Sequence, residues 1–191
     1  MKIEIRRATS ADRLAIAYCI AEGFKNDFSI LSRDLKIIAK AIAPSLRPEQ
    51  FFVAQKNGRI LGTLAISNRG CCAAKIEPTA LRRHFGLLKG LFGSFVMRED
   101  FEGAAEFSAA TGYVQFVAIR EGCRRKGIAT KLLKESMELS GYESFHLEVT
   151  DVNLAAMSCY MKLGFREYKR IPQKYAKYRG FRERIFMCRS L

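Results

Sequence analysis

The chain predicts an α/β fold, and three observations carry the prediction. Residues 113–119 form an apolar run that suits a strand. Residues 144–150 alternate, with Phe145, Leu147 and Val149 facing one way and His146, Glu148 and Thr150 the other. Between these runs, Ile128, Leu132, Leu133, Met137 and Ser140 recur at helical spacing, and Gly141 supplies a left-handed cap. Two consecutive strands joined by a crossover helix form a right-handed parallel unit, so 113–119 and 144–150 are expected to be parallel neighbours. The third observation lies upstream. Residues 51–55 and 59–67 are apolar runs joined by Asn57-Gly58, the dipeptide most suited to a two-residue hairpin. The sheet is therefore mixed.

The remaining elements follow in order. Residues 2–7 alternate Ile3 and Ile5 with polar residues and open the sheet. Thr9-x-x-Asp12 has the form of a capping box, with Asp in place of the usual Glu or Gln. It starts a helix whose stripe is Leu14, Ala17, Tyr18 and Ala21, with Gly23 helping to end it. A second helix is expected over 32–43, stopped by Pro44. In the long stretch 68–112, Pro78 suits a helix start, and Leu81, Phe85, Leu88, Phe92 and Phe95 recur at helical spacing. Gly86, Gly90 and Gly93 weaken that helix in isolation, so packing must hold it. The stripe reads as core or as a subunit contact, and His84 reads as a packing or surface residue. A short helix is expected over 154–163, then strands over 165–171 and 184–189. Tyr175, Tyr178 and Phe181 lie in the basic loop between those strands. With no repeat and no low-complexity linker, residues 1–191 read as a single domain.

Composition narrows the function classes. The 191 residues suffice for one full core, and 49% are hydrophobic. No apolar run approaches the roughly 18 residues of a membrane span, and the first ten residues hold no hydrophobic signal region. A cytoplasmic location and no membrane partner are expected. Six cysteines form no C-x-x-C pair and there are only two histidines, so reduced thiols and no metal site are expected. No positioned histidine supports a catalytic cysteine. The net charge is +14, and residues 162–191 hold ten Lys/Arg against two Asp/Glu. Such a surface attracts polyanions. Nucleic acid is one such partner, with the loop aromatics as stacking platforms; a solvated basic surface is the other reading.

Two features carry chemistry. Arg124-Arg125-Lys126-Gly127-Ile128-Ala129 sits at a strand-to-helix junction, where free backbone amides and partial positive charge suit a phosphate. Gly127, lacking a side chain, lets an anion approach the backbone. Glu148 lies on the polar face of a central strand, a position that calls for water or a ligand. Asn153 and Tyr160, seven residues apart, share a helix face. Read singly, these are also a capping Asn, a core Tyr and a Glu paired with one of the many cations.

Taken together, residues 113–165 resemble the GNAT superfamily of acyl-CoA-dependent N-acetyltransferases. The resemblance rests on Val117-Ala118-Ile119, on Arg124-x-x-Gly127-x-Ala129, and on Leu147-Glu148-Val149 with Asn153, Ala156, Tyr160, Gly164 and Phe165. It is most similar to the branch that acetylates protein N-termini, ribosomal-protein alanine acetyltransferases included. Ala129 stands where many members have Gly, a tolerated variant. The resemblance implies a mixed, mostly antiparallel sheet of about seven strands with flanking helices and a splayed central parallel pair, and it makes 68–112 a helical insertion. It implies acetyl-CoA as co-substrate, with Arg124 beside the pyrophosphate. The amides of Arg125, Lys126, Gly127, Ile128, Ala129 and Thr130 would hold the pyrophosphate. Backbone at Val117, Ala118 and Ile119 would pair with pantetheine, with Asn153 and Tyr160 close by. It assigns Glu148 as general base and Tyr160 as general acid, with direct transfer to a primary amine, a peptide N-terminus or a small amine, in a ternary complex. The basic loop would then border the acceptor cleft, and an acceptor-site wall is the alternative reading of the insertion stripe. Apolar neighbours Leu147 and Val149 would desolvate Glu148 and raise its pKa, and His146 is the next candidate base. The alternative is a catalytically weak module that senses CoA or binds RNA or the ribosome. Monomer and homodimer are both compatible.

Overall fold

A computed structural model describes residues 2–68, 70–101, 110–174 and 176–190. Asn57 and Gly58 have φ of 51° and 74°, the left-handed pair that a tight hairpin demands, and they fold β2 (Phe51–Lys56) onto β3 (Arg59–Ser67). β1 (Glu4–Arg7) adds outside β2, and β4 (Thr111–Ile119) outside β3. Then β5 (Ser144–Thr150), β7 (Glu183–Ser190) and β6 (Arg166–Pro172) complete a seven-stranded sheet ordered β1-β2-β3-β4-β5-β7-β6. Its pairings are antiparallel except β4–β5, the parallel pair that the crossover helix requires.

Strand alternation divides the core in two. On one face, α1 (Arg13–Gly23) and α3 (Leu35–Ile42) bury Ile16, Ile20, Ile38 and Ile42 in a cluster with Phe51, Val53, Ala65 and Phe116. On the other, α6 (Ile128–Ser140) and α7 (Leu154–Lys162) share a cluster with Phe52, Leu64, Val114, Phe145, Leu147 and Val149. Full burial of one such side chain contributes about 1.5–3 kcal/mol.

Several boundaries differ from expectation for local reasons. The second helix starts at Leu35, because Asp34 caps it by accepting from the amides of Lys36 and Ile37 at 2.8 and 3.3 Å. A one-turn α2 (Lys25–Phe28) precedes it. Gly23 does more than end α1: a Cβ there would lie 2.8 Å from that of Ala118, so it sets how closely α1 approaches β4. On α6 the buried serine is Ser136, and Ser140 is half-buried.

The expected continuous stripe in 68–112 is corrected. Gly86, at φ 81°, breaks the segment into α4 (Pro78–Phe85) and α5 (Leu87–Phe101). Leu81 is buried and Phe85 packs on the core, whereas Leu88, Phe92 and Phe95 are exposed. Core packing therefore holds for the α4 half alone. Residues 102–109 of this stretch, and Tyr175 of the basic loop, lie outside the described residues.

The capping box forms as expected, with a third partner. Asp12 accepts from the Thr9 amide and hydroxyl at 2.8 and 3.0 Å, and from two nitrogens of Arg6 at 2.7 and 3.0 Å. The Arg6 guanidinium, helped by Thr9, holds the Asp12 carboxyl down to about 2. A depressed carboxyl stabilises the fold above its unfolded pKa of about 3.9, and that contribution disappears as pH falls toward 2. Thermal melts followed by circular dichroism should show the midpoint dropping through this window. Asp12→Asn should lower the midpoint at neutral pH and flatten the drop, and equally steep curves would contradict the assignment.

Candidate active site

β4 and β5 pair for only part of their length. Their register runs from Thr111↔Ser144 to Val114↔Leu147 and stops, although β4 continues to Ile119 and β5 to Thr150. β4 stays bound to β3 through this stretch, and β5 to β7, so the parting opens a slot within the sheet. A bulge accompanies it. β3 pairs Thr63 with Ala118 and Ala65 with Gln115, which leaves an extra residue in β4, and Phe116 has φ 53°. A positive φ at a bulky residue is uncommon and clusters at functional sites. The Phe116 ring stacks on Phe51 at 5.8 Å, which anchors the distortion. Val117, Ala118 and Ile119 follow it along the slot; the Ile119 carbonyl accepts from Arg124 Nε at 3.0 Å.

Just beyond β4 the chain reaches the α6 N-terminus through a single 3₁₀ turn over Glu121–Cys123. Gly127 caps the helix at φ 74°, and a Cβ there would meet nothing within 4 Å. Lys131 makes the first helical bond, to the Gly127 carbonyl at 3.0 Å. The amides of Gly127, Ile128, Ala129 and Thr130 have no acceptor among the described residues. Arg125 (φ 60°) and Lys126 are exposed, and Lys126 Nζ donates to the Gly122 carbonyl at 2.9 Å. The Thr130 hydroxyl lies 3.4 Å from Cys159 Sγ, tying α6 to α7.

Glu148 projects from the α1–α3 face of β5. Arg184 Nη1 donates to its Oε1 at 2.7 Å, with the Arg184 side chain 19% and the Glu148 side chain 23% exposed. Register explains the pair: Thr150 stands opposite Arg184 and Glu148 opposite Phe186, so the two are diagonal cross-strand neighbours. Arg184 also donates from Nε to Gln173 at 2.7 Å and lies over the Phe181 ring at 5.5 Å. The expected apolar setting of Glu148 is thus corrected. Leu147 and Val149 point into the opposite cluster, and a guanidinium is what faces Glu148. Tyr113 is close enough that the Glu148 charge adds to burial in pushing its phenol up. His146, two residues back, lies with Nδ1 3.0 Å from the Tyr168 hydroxyl, and partial burial lowers its pKa.

Tyr160 lies across the sheet, buried on α7 with its ring 6.0 Å from that of Phe165. Its hydroxyl makes no hydrogen bond to a described residue, and burial pushes the phenol up, so it stays protonated at neutral pH. Asn153 caps α7, accepting from the Ala156 amide at 3.3 Å. Glu148 and Tyr160 therefore point away from each other across the sheet, and the slot is what connects their two sides. The sequence reading missed Arg184, Tyr168 and the Phe116 bulge. The i, i+2 positions of β7 could have suggested Arg184 once its register with β5 was known; nothing in the sequence marks the bulge. A further cleft of about 660 Å³ adjoins the end of β5, lined in part by Asp151, Val152, Phe181 and Arg182.

Comparison with known proteins gives consistent results. Residues 20–165 match the family model described as the acetyltransferase (GNAT) family. Over 67 residues, 34% of the chain, there is 42% identity to N-alpha-acetyltransferase 30 of Schizosaccharomyces pombe, and the match spans 45% of that protein's length. An N-acetyltransferase from Staphylococcus aureus Mu50 is similar in fold, with TM-score 0.64 and 19% identity, covering 97% of this chain and 100% of that one. So is a Salmonella typhimurium acetyltransferase determined with its cofactor acetyl-CoA, with TM-score 0.58 and 15% identity, covering 99% and 94%.

The Glu148–Arg184 pair generates a test of its own. Removing one partner takes the facing opposite charge away from a half-buried group, so Arg184→Leu should lose about 1–3 kcal/mol in urea unfolding. Glu148→Leu/Arg184→Leu should recover much of that loss. Additive losses would mean that the two side chains are energetically independent.

Proposed function

The chain belongs to the acetyltransferase (GNAT) family, and from that premise we propose that it transfers the acetyl group of acetyl-CoA directly to the α-amine of a peptide or protein. One observation carries this reading: the parallel strands part beyond Val114 and Leu147, with a half-buried carboxylate on one face and a buried, protonated phenol on the other. The stretch shared with the yeast N-alpha-acetyltransferase favours an α-amine over a small amine.

The residues present suit acetyl-CoA. The open approach to Gly127 and the unengaged amides of Gly127, Ile128, Ala129 and Thr130 fit a pyrophosphate, with Arg124, Arg125 and Lys126 adding positive charge. Val117 and Ala118 on the β4 side of the slot would pair with the pantetheine amides. The Asn153 side-chain N–H groups remain for the same arm, since its oxygen serves the α7 cap. Bound there, acetyl-CoA supplies the activated thioester.

The chain's own groups divide the proton work. Glu148, through a water, takes the proton from the acceptor ammonium, because only the neutral amine is nucleophilic. Arg184, donating to Oε1, fixes the carboxylate's direction. The Val117 amide, aimed by the bulge, donates to the carbonyl oxygen on which charge develops. Tyr160 gives its proton to the departing sulfur.

Thiol release with a peptide panel, and mass spectrometry of the products, tests the reading. Acetylation should fall on the peptide α-amine, and Glu148→Gln should lose about 10²–10⁴ in rate at neutral pH. The loss should shrink above pH ~8, where an α-amine is already neutral. Exclusive use of polyamines, or wild-type turnover in Glu148→Gln, would overturn it.

The cofactor assignment has a separate readout. Asp tolerates a left-handed φ and is a favoured N-cap, so Gly127→Asp should keep the fold by circular dichroism. Its carboxylate would occupy the phosphate position, and calorimetry should show acetyl-CoA binding lost. Unchanged affinity in the folded variant would refute the site.

A further inference from the structure

The helix α5 is built inside out. Its small residues Gly90, Gly93 and Ser94 face the protein and are buried. A Cβ on Gly90 would lie 2.5 Å from the Arg82 Cα, and one on Gly93 would lie 3.1 Å from a Leu31 methyl. Of its large apolar residues Met97 is buried, but Leu87, Leu88, Leu91, Phe92 and Phe95 point outward and are 63, 83, 48, 49 and 80% exposed. Their i, i+1, i+4, i+5, i+8 spacing places them in one stripe over more than two turns. A surface helix ordinarily turns such a stripe to the core. A contiguous apolar patch left outside marks an interaction site.

Charge decides what covers it. Residues 78–95 contain Arg82, Arg83 and Lys89 and no acidic residue, and the stripe ends before Glu99 and Asp100. Arg83, Lys89 and Arg98 are exposed along it. A second copy docked through the same face would bring a second set of the same cations into the interface, because a two-fold interface pairs a patch with itself. The net charge of +14 opposes that approach as well. An anionic lipid surface complements both halves of the pattern, taking Leu and Phe at the acyl boundary and Lys and Arg among the headgroups.

Geometry sets the mode. α5 has 15 residues, about 22 Å at 1.5 Å per residue, short of the ~30 Å hydrocarbon core. Among the described residues no helix is long and apolar enough to cross a membrane. We propose that α5 lies in the plane of an anionic bilayer surface and docks the protein there, with Leu88, Phe92 and Phe95 inserted and Arg83, Lys89 and Arg98 paired with lipid phosphates. The expectation of no membrane partner came from the lack of a spanning run, and that criterion is blind to an in-plane helix.

Flotation of the full chain with mixed phosphatidylcholine–phosphatidylglycerol vesicles tests it, with pure phosphatidylcholine vesicles as comparison. Binding should require the anionic lipid and weaken with salt. Leu88→Ser/Phe95→Ser changes two outward side chains, so circular dichroism should be unaltered while partitioning drops by at least about tenfold. Arg83→Glu/Lys89→Glu should lower it as well. Absence of flotation at low salt overturns the proposal. So does undiminished flotation of Leu88→Ser/Phe95→Ser, which would assign the attraction to net charge alone. Light scattering supplies a further arm: a wild-type dimer that becomes monomeric in Leu88→Ser/Phe95→Ser would show that a second copy covers the stripe, and the proposal fails.

Discussion

Backbone hydrogen bonding is the constraint from which the rest of this structure follows. Buried amides and carbonyls need partners, and two adjacent strands normally supply them to each other. Here β4 and β5 do so as far as Val114 and Leu147 and then separate, though much of β4 beyond that point is buried. Strands on either side prevent the gap from closing, since β4 is held by β3 on both sides of the bulge and β5 by β7 along its whole length. A sheet that is complete elsewhere thus keeps one internal edge open. An extended polar chain such as pantetheine can pair with that edge as a strand would.

The same parting divides the chemistry. Strand alternation sends Glu148 to the α1–α3 side, while Tyr160 lies buried among the side chains of the α6–α7 side. Each group then keeps its own electrostatic setting. Glu148 has a guanidinium against it and partial contact with water. Tyr160 sits among apolar side chains that disfavour the phenolate.

Much of this was legible in the chain because short-range chemistry enforces it. The period-2 pattern of 144–150 reappears residue by residue in the burial of β5. Asn57-Gly58 adopts the turn its φ preferences demand, and Thr9-x-x-Asp12 forms its capping box. The Gly127 junction and Glu148 were visible as motifs for the same reason. What stayed hidden depends on register between distant segments. Arg184 meets Glu148 only because β7 pairs with β5 in one alignment, and Phe116 takes a left-handed φ only because β3 and β4 are offset by one residue. The stripe on 81–95 shows a related limit. Periodicity reveals that apolar residues share a helix face but not which way the face turns, and here the contacts of Gly90 and Gly93 turned α5 outward.

Arg184 links Glu148 to the β6–β7 connection. One guanidinium touches Glu148 on β5, Gln173 just after β6 and the Phe181 ring just before β7. Phe181 and its neighbour Arg182 also line the cleft at the end of β5, and the Arg182 amide donates to Asp151 at 3.1 Å. Movement of the β6–β7 connection would therefore be felt at the carboxylate through the Arg184 side chain. Lysine could not substitute, because it lacks the planar fork that reaches two acceptors while lying over a ring. In this arrangement, the position of the β6–β7 connection and the orientation of the Glu148 carboxylate are coupled through one guanidinium.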